Sequence, residues 1–170
     1  GKAATVHLTG EDSAAQSYCA CCYSAMTAEL LGMDMPVVPE TICLEDCEGN
    51  THTFHIEFLF HPHCKELTAR ESREDGYVCT ISGMPEENFS FLWSRLNYRL
   101  SKILSVKYME DGRLKGDKAA GYVGYDPARD THYLVIDGKR CEWSDMGRQL
   151  ATFEGFQIKI EFADPSDDPL

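Results

Sequence analysis

Two groups of cysteine and histidine have the residue types and spacing for metal chemistry. The first is Cys19-Ala20-Cys21-Cys22. Thiolates with two residues between them form a turn whose sulfurs can face one ion, about 2.3 Å from zinc. A structural zinc site takes four ligands, so Cys19 and Cys22 supply two. The second group is Cys43, Cys47, His61, His63 and Cys64. His61-Pro62-His63 places both rings on one side of an extended chain, because successive Cβ atoms alternate. Cys43 and Cys47 are also an even number apart. If the two segments paired, they would make a Cys2His2 or Cys3His set. Cys-x3-Cys is not a knuckle, and a polar loop with small apolar thiols is the plainer reading.

A third group offers acid–base chemistry. On a strand, His52 shares a face with Phe54 and Ile56, which predicts a partly buried, satisfied histidine. His55 and Glu57 share the other face, as an acid–base pair or as solvated surface. An enzyme would need a pocket gathering His52, His55 and Glu57, or His61, His63 and Cys64. The chain has no Gly-x-Ser-x-Gly, no phosphate loop and no dinucleotide fingerprint. No catalytic or cofactor-binding residue is assigned.

The elements that must position these residues follow from hydrophobic period. Ala4 to Thr9 reads as a short strand and 10–17 as a polar loop. Residues 18–31 are rich in Ala and Leu and lead to Gly32, a helix with a glycine stop. Pro36 and Pro39 mark a linker. Phe54, Ile56, Phe58 and Phe60 alternate with His55, Glu57 and Leu59, a half-buried strand. Segments 67–71 and 77–82 are its expected neighbours, separated by Asp75-Gly76. Phe89, Leu92, Trp93, Leu96, Leu100, Ile103 and Leu104 form one stripe of a long helix, with Pro85, Glu86 and Glu87 in its first turn and Arg95, Arg99 and Lys102 off the stripe. Asp111-Gly112 is expected to end it. Strands 122–125 and 133–136 flank a turn at Asp126-Pro127, and Asp137-Gly138 is a tight hairpin signal. Trp143, Met146, Leu150 and Phe153 make a short amphipathic helix. Phe156, Ile158, Ile160 and Phe162 alternate with Gln157, Lys159 and Glu161, a final strand.

Hairpins outnumber crossovers, which predicts an α+β fold. The expectation is a mostly antiparallel sheet packed by one long and one short helix. The organisation read from the sequence is 1–35, a partial zinc-ribbon-like segment plus helix, 40–163, the α+β domain, and 164–170, an acidic tail.

The chain has 170 residues, 43% hydrophobic and 26% charged, with 16 basic and 28 acidic side chains and a net charge of −12. Such a balance gives no general attraction to nucleic acid and favours a basic protein partner. No apolar run approaches the roughly 20 residues of a membrane helix. Of the eight cysteines, Cys79 and Cys141 read as small buried hydrophobes. A chain of this size does not need disulfide staples, so a reducing cytoplasm is the expected setting.

The segment Gly1-Lys2-Ala3-Ala4-Thr5-Val6-His7-Leu8-Thr9, followed by Cys19, Cys22 and Tyr23, resembles the second half of a bacterial zinc ribbon. The zinc region of the protein-arginine kinase activator is similar, as are uncharacterised bacterial proteins whose second Cys-x-x-Cys leads into a helix. In those proteins a first Cys-x-x-Cys precedes the matching stretch. The resemblance therefore implies zinc held by Cys19 and Cys22 together with a thiol pair upstream of Gly1. More loosely, 49–54, 136–138 and 153–156 look like the same uncharacterised family. No activity comes with it, and the expected role is a non-catalytic regulatory or interaction module.

Overall fold

The stripes of apolar side chains find each other in two layers. A computed structural model describes residues 6–10 and 13–163. Residues 1–5 and the acidic tail, 164–170, lie outside the described residues. In chain order the elements are β1 (Val6–Gly10), β2 (Ser13–Tyr18), α1 (Ala20–Leu31), β3 (Thr41–Glu45), β4 (Thr51–Phe60), β5 (Lys65–Glu71) and β6 (Val78–Gly83). They continue with α2 (Phe89–Leu104), β7 (Met109–Glu110), β8 (Arg113–Leu114), β9 (Gly121–Asp126), β10 (Thr131–Ile136), β11 (Lys139–Cys141) and α3 (Trp143–Leu150). Every strand pairing is antiparallel. The α+β expectation holds.

The larger sheet has the order β3-β4-β5-β6. Its register sets Phe58 opposite Leu67, and Leu67 opposite Ile81. Phe54, Phe58, Phe60, Leu67, Ala69, Cys79 and Ile81 thus share one face, and all are buried. Leu92, Leu96, Leu100 and Leu104 of α2 close that face with no more than 2% exposure each. The opposite face carries Thr41, His55, Glu57 and Arg70, exposed, as period-two alternation requires.

Helix α1 covers a backbone edge as well as a core. β3 pairs with β4 only as far as His55. Beyond it, the Ser24 hydroxyl donates to Phe58 O at 3.4 Å and accepts from Phe60 N at 2.9 Å. One fully buried side chain thus replaces two ladder bonds that β3 is too short to make. The helix stops at Gly32, in the left-handed region at φ 65°. There Gly32 N–H donates to Glu29 O and Met33 N–H to Ala28 O, a Schellman cap.

Several sequence expectations are corrected. The polar loop expected at 10–17 is largely a strand, because 13–18 pair with β1. Helix α2 begins at Phe89 rather than at Pro85, because Asn88 Oδ1 caps it by accepting from Ser90 N at 2.9 Å. Its end is at Leu104, and Asp111-Gly112 instead forms the two-residue turn between β7 and β8. Arg99, expected off the apolar stripe, is 6% exposed and donates to Thr80 O at 3.0 Å. The final strand expected at 156–162 joins no sheet among the described residues.

The second layer has the order β11-β10-β9 with α3 on one face. Ile136, Cys141 and Met146 form its buried centre, flanked by Tyr108, Met109, Leu114 and Leu134. Its other face, bearing Tyr122, Tyr133 and Val135, turns toward the first layer. Tyr122 Oη donates to Gly76 O and Tyr133 Oη to Asp75 Oδ1. Gly124 lets the Tyr133 ring lie across it, since a Cβ there would come within 2.4 Å of that ring.

Candidate functional site

A buried cluster of titratable side chains lies near the seam between the layers. His52 stands at the β4 end nearest the β3–β4 hairpin, on the core face, where strand alternation places it. Its Nδ1 lies 2.9 Å from Glu71 Oε1 and its Nε2 lies 3.2 Å from Asp46 Oδ2. The three side chains are 11%, 8% and 5% exposed. Tyr77 lies edge-on to the imidazole at 5.5 Å. Both ring nitrogens face carboxylates, which only accept. Neither nitrogen is open to a third group.

Each carboxylate has further donors. Glu71 Oε2 accepts from Tyr77 N at 2.9 Å and from Arg73 Nη2 at 3.2 Å. Asp46 Oδ1 accepts from the Glu48 and Asn50 amides, and its Oδ2 from Asn50 Nδ2 at 3.0 Å. Lys107 bridges Asp46 and Glu48. Burial would push the Asp46 carboxyl up, but hydrogen bonds from Asn50, His52 and Glu48 outweigh it and hold it well below the usual carboxylate range. Arg73 carries the network into the second layer. Arg73 Nη2 donates to Gly138 O at 2.7 Å. Asp137, buried beside it, accepts from the amides of Tyr108 and Met109 at 2.8 and 2.7 Å.

The cysteine and histidine candidates are distributed differently. Cys19 caps α1, its Sγ accepting from Cys22 N at 3.4 Å. This N–H···S contact is a helix N-cap, with sulfur in the place an oxygen ordinarily takes. The Cys19 sulfur, as hydrogen-bond partner and as a neighbouring like charge, pushes the Cys22 thiol up. A cation between the two would reverse that preference. Tyr23, one residue on, meets His61 at the β4–β5 turn, Oη to Nδ1 3.4 Å.

Cys43 lies opposite Thr53 and on the exposed face of β3. His61, His63 and Cys64 lie at the far end of the ten-residue β4 from Cys47, about 30 Å away along a strand. The structure does not bring the two halves of that group together. Among the described residues no three His, Cys, Asp or Glu side chains converge as a metal set. His55 and Glu57 sit on the exposed sheet face, away from His52.

Sequence reasoning foresaw a satisfied His52 but missed Asp46, Glu71, Lys107 and Arg73. A small signal was present: Glu71 sits on the β5 face that otherwise carries Leu67 and Ala69. Cys79 and Cys141 are buried as expected. Burial, partly offset by Arg99, pushes the Cys79 thiol up to about 11.

These shifts fix a pH profile. Asp46 has its folded pKa lowered, so its contribution is whole above the unfolded value near 4 and is lost as pH falls. Cys79 has its folded pKa raised, so its contribution is whole below about 8.5 and is lost as pH rises toward about 11. Urea midpoints measured across pH are expected to fall on both limbs. Asp46→Asn is expected to flatten the acid limb and Cys79→Ala to lessen the alkaline one. An unchanged slope in either variant refutes that assignment.

The molecule is therefore an α+β protein of two layers joined by a buried ionic seam, and the comparisons divide it at that seam. Residues 36–105 match a family described as a domain of unknown function (DUF7686). Residues 107–167 match a second family of the same description (DUF7713). No curated protein and no solved structure matches the chain. Neither family is described as a zinc ribbon or a kinase activator. No helix among the described residues is long and apolar enough to cross a membrane.

Proposed function

We propose that the chain is a non-catalytic regulatory or interaction module, bacterial and cytoplasmic, that docks a protein partner. Zinc bound through Cys19 and Cys22 would clip its N-terminal segment in the intact protein. The observation that carries this reading is the use made of His52. Its two nitrogens are spent on Glu71 and Asp46 within the first layer, and Glu71 in turn holds the Arg73 that reaches Gly138 of the second, so none of them is directed at a cleft. The acidic balance, −12 in all, favours a basic partner surface. The Cys19–Cys22 spacing supports the zinc, which would take its remaining ligands from outside this pair.

Elemental analysis tests the metal. In the protein extended upstream of Gly1, about one zinc per chain is expected, lost in Cys19→Ser and in Cys22→Ser. Helix content and urea midpoint of the α+β part are expected to change little, because both thiols lie outside its core. Zinc retained in both variants overturns this assignment.

A further inference from the structure

Residues 156–162 have the pattern of a strand and the surroundings of none. Phe156, Ile158, Ile160 and Phe162 are 73%, 67%, 66% and 81% exposed, and Gln157, Lys159 and Glu161 occupy the alternate positions. Four large apolar side chains in one short stretch are more than a soluble surface ordinarily leaves open. The family match runs through residue 167, so the stretch is part of that domain.

The same molecule carries a matching vacancy. β9 is the outer strand of its sheet, and on the α3 side its Val123 and Tyr125 remain 47% and 50% exposed. An unpaired edge beside half-covered apolar side chains is a template for one more strand.

The structure assigns both to each other across two molecules: residues 156–162 of one copy pair antiparallel with β9 of a second copy, and the exchange is reciprocal. The inference rests on the interaction-module reading and names the partner, but it does not depend on zinc. The charges set a register. With Lys159 opposite Asp126, Ile160 falls opposite Tyr125, Glu161 opposite Gly124 and Phe162 opposite Val123. Every apolar side chain then lies on the α3 side, Lys159 joins Arg140 at Asp126, and the bulkier Glu161 faces the glycine. A one-residue slip would turn the apolar face outward.

The area is sufficient. Eight exposed Phe and Ile side chains, with two β9 edges, offer on the order of 1,200–1,600 Å² of buried surface, the span of a standard stable interface. Pairing the two free strands only with each other would leave a two-stranded ribbon with its apolar face in water.

Light scattering coupled to size exclusion tests this on the 170-residue chain at concentrations up to about 0.1 mM. The expected mass is twice 19.1 kDa. Ile158→Asp with Ile160→Asp is expected to give monomer, as is Val123→Asp with Tyr125→Asp, both keeping the wild-type helical signal in circular dichroism because all four positions are exposed or half exposed. Mixing the two variants is expected to restore a dimer, since one intact strand then meets one intact edge. A wild-type monomer overturns the proposal, and so does a monomer whose 156–162 amides are protected, the mark of pairing within one chain. A dimer that survives the β9 variant also overturns it. Zinc content plays no part in any of these readouts.

Discussion

Glu71→Ala is expected to lower the unfolding free energy by about 3–5 kcal/mol, the usual result of deleting one partner from a buried ionic group. The deletion strands three donors at once. His52 Nδ1 loses its 2.9 Å partner, the Tyr77 amide loses its 2.9 Å acceptor, and Arg73 loses the carboxylate beside its reach to Gly138 O. Water cannot readily replace them where Glu71 is 8% and His52 11% exposed. Against a typical net stability of about 5–15 kcal/mol, the variant would retain little margin. Urea unfolding measures it. If Glu71→Ala does not accumulate as folded protein, Glu71→Gln serves instead. It keeps an acceptor oxygen and is expected to cost about half as much. A shift under about 0.5 kcal/mol in Glu71→Ala would mean that the seam does not hold the layers together.

Phe60→Ala is expected to cost a further class of energy, about 3–5 kcal/mol from lost transfer and an unfilled cavity. Phe60 is fully buried, packs its ring against Phe58 at 6.3 Å and lies beneath Lys65 Nζ at 4.9 Å. Its amide reaches Ser24, so the site joins β4, β5 and α1. Phe91→Ala is the matched control. It removes the same ring from α2 at a position 67% exposed and is expected to change stability by less than about 0.5 kcal/mol. Equal effects in the two variants would refute the placement of the core. Residues 156–162 are left intact in both, so at matched protein concentration any association is common to the two variants and cancels in their comparison.

The alternation at 54–60 and the α2 stripe told their own story, because each stated which side chains must leave water. Leu92, Leu96, Leu100 and Leu104 are buried, and His52 shares the inward face with Phe54 as its spacing requires. The buried thiols Cys79 and Cys141 follow from the same logic. Hairpin signals at Asp126-Pro127 and Asp137-Gly138 also recur as turns. Other readings could not be made locally. Asp111-Gly112 was legible as a turn, but not as the tip of a hairpin beyond the end of α2.

Period two says that a side chain needs cover and never names what covers it. His52 was legible as satisfied, yet its partners stand six and nineteen residues away, and β5 pairing is what carries Glu71 to it. The separation of Cys43 and Cys47 from His61 and His63 likewise follows from the length of β4, which no local spacing reveals. Phe156, Ile158, Ile160 and Phe162 show the division most plainly. Their chemistry marks a strand from composition alone, because alternating apolar residues lower their free energy only against another surface. Whether such a surface lies within reach depends on where α3 delivers the chain, and here it is delivered into solvent.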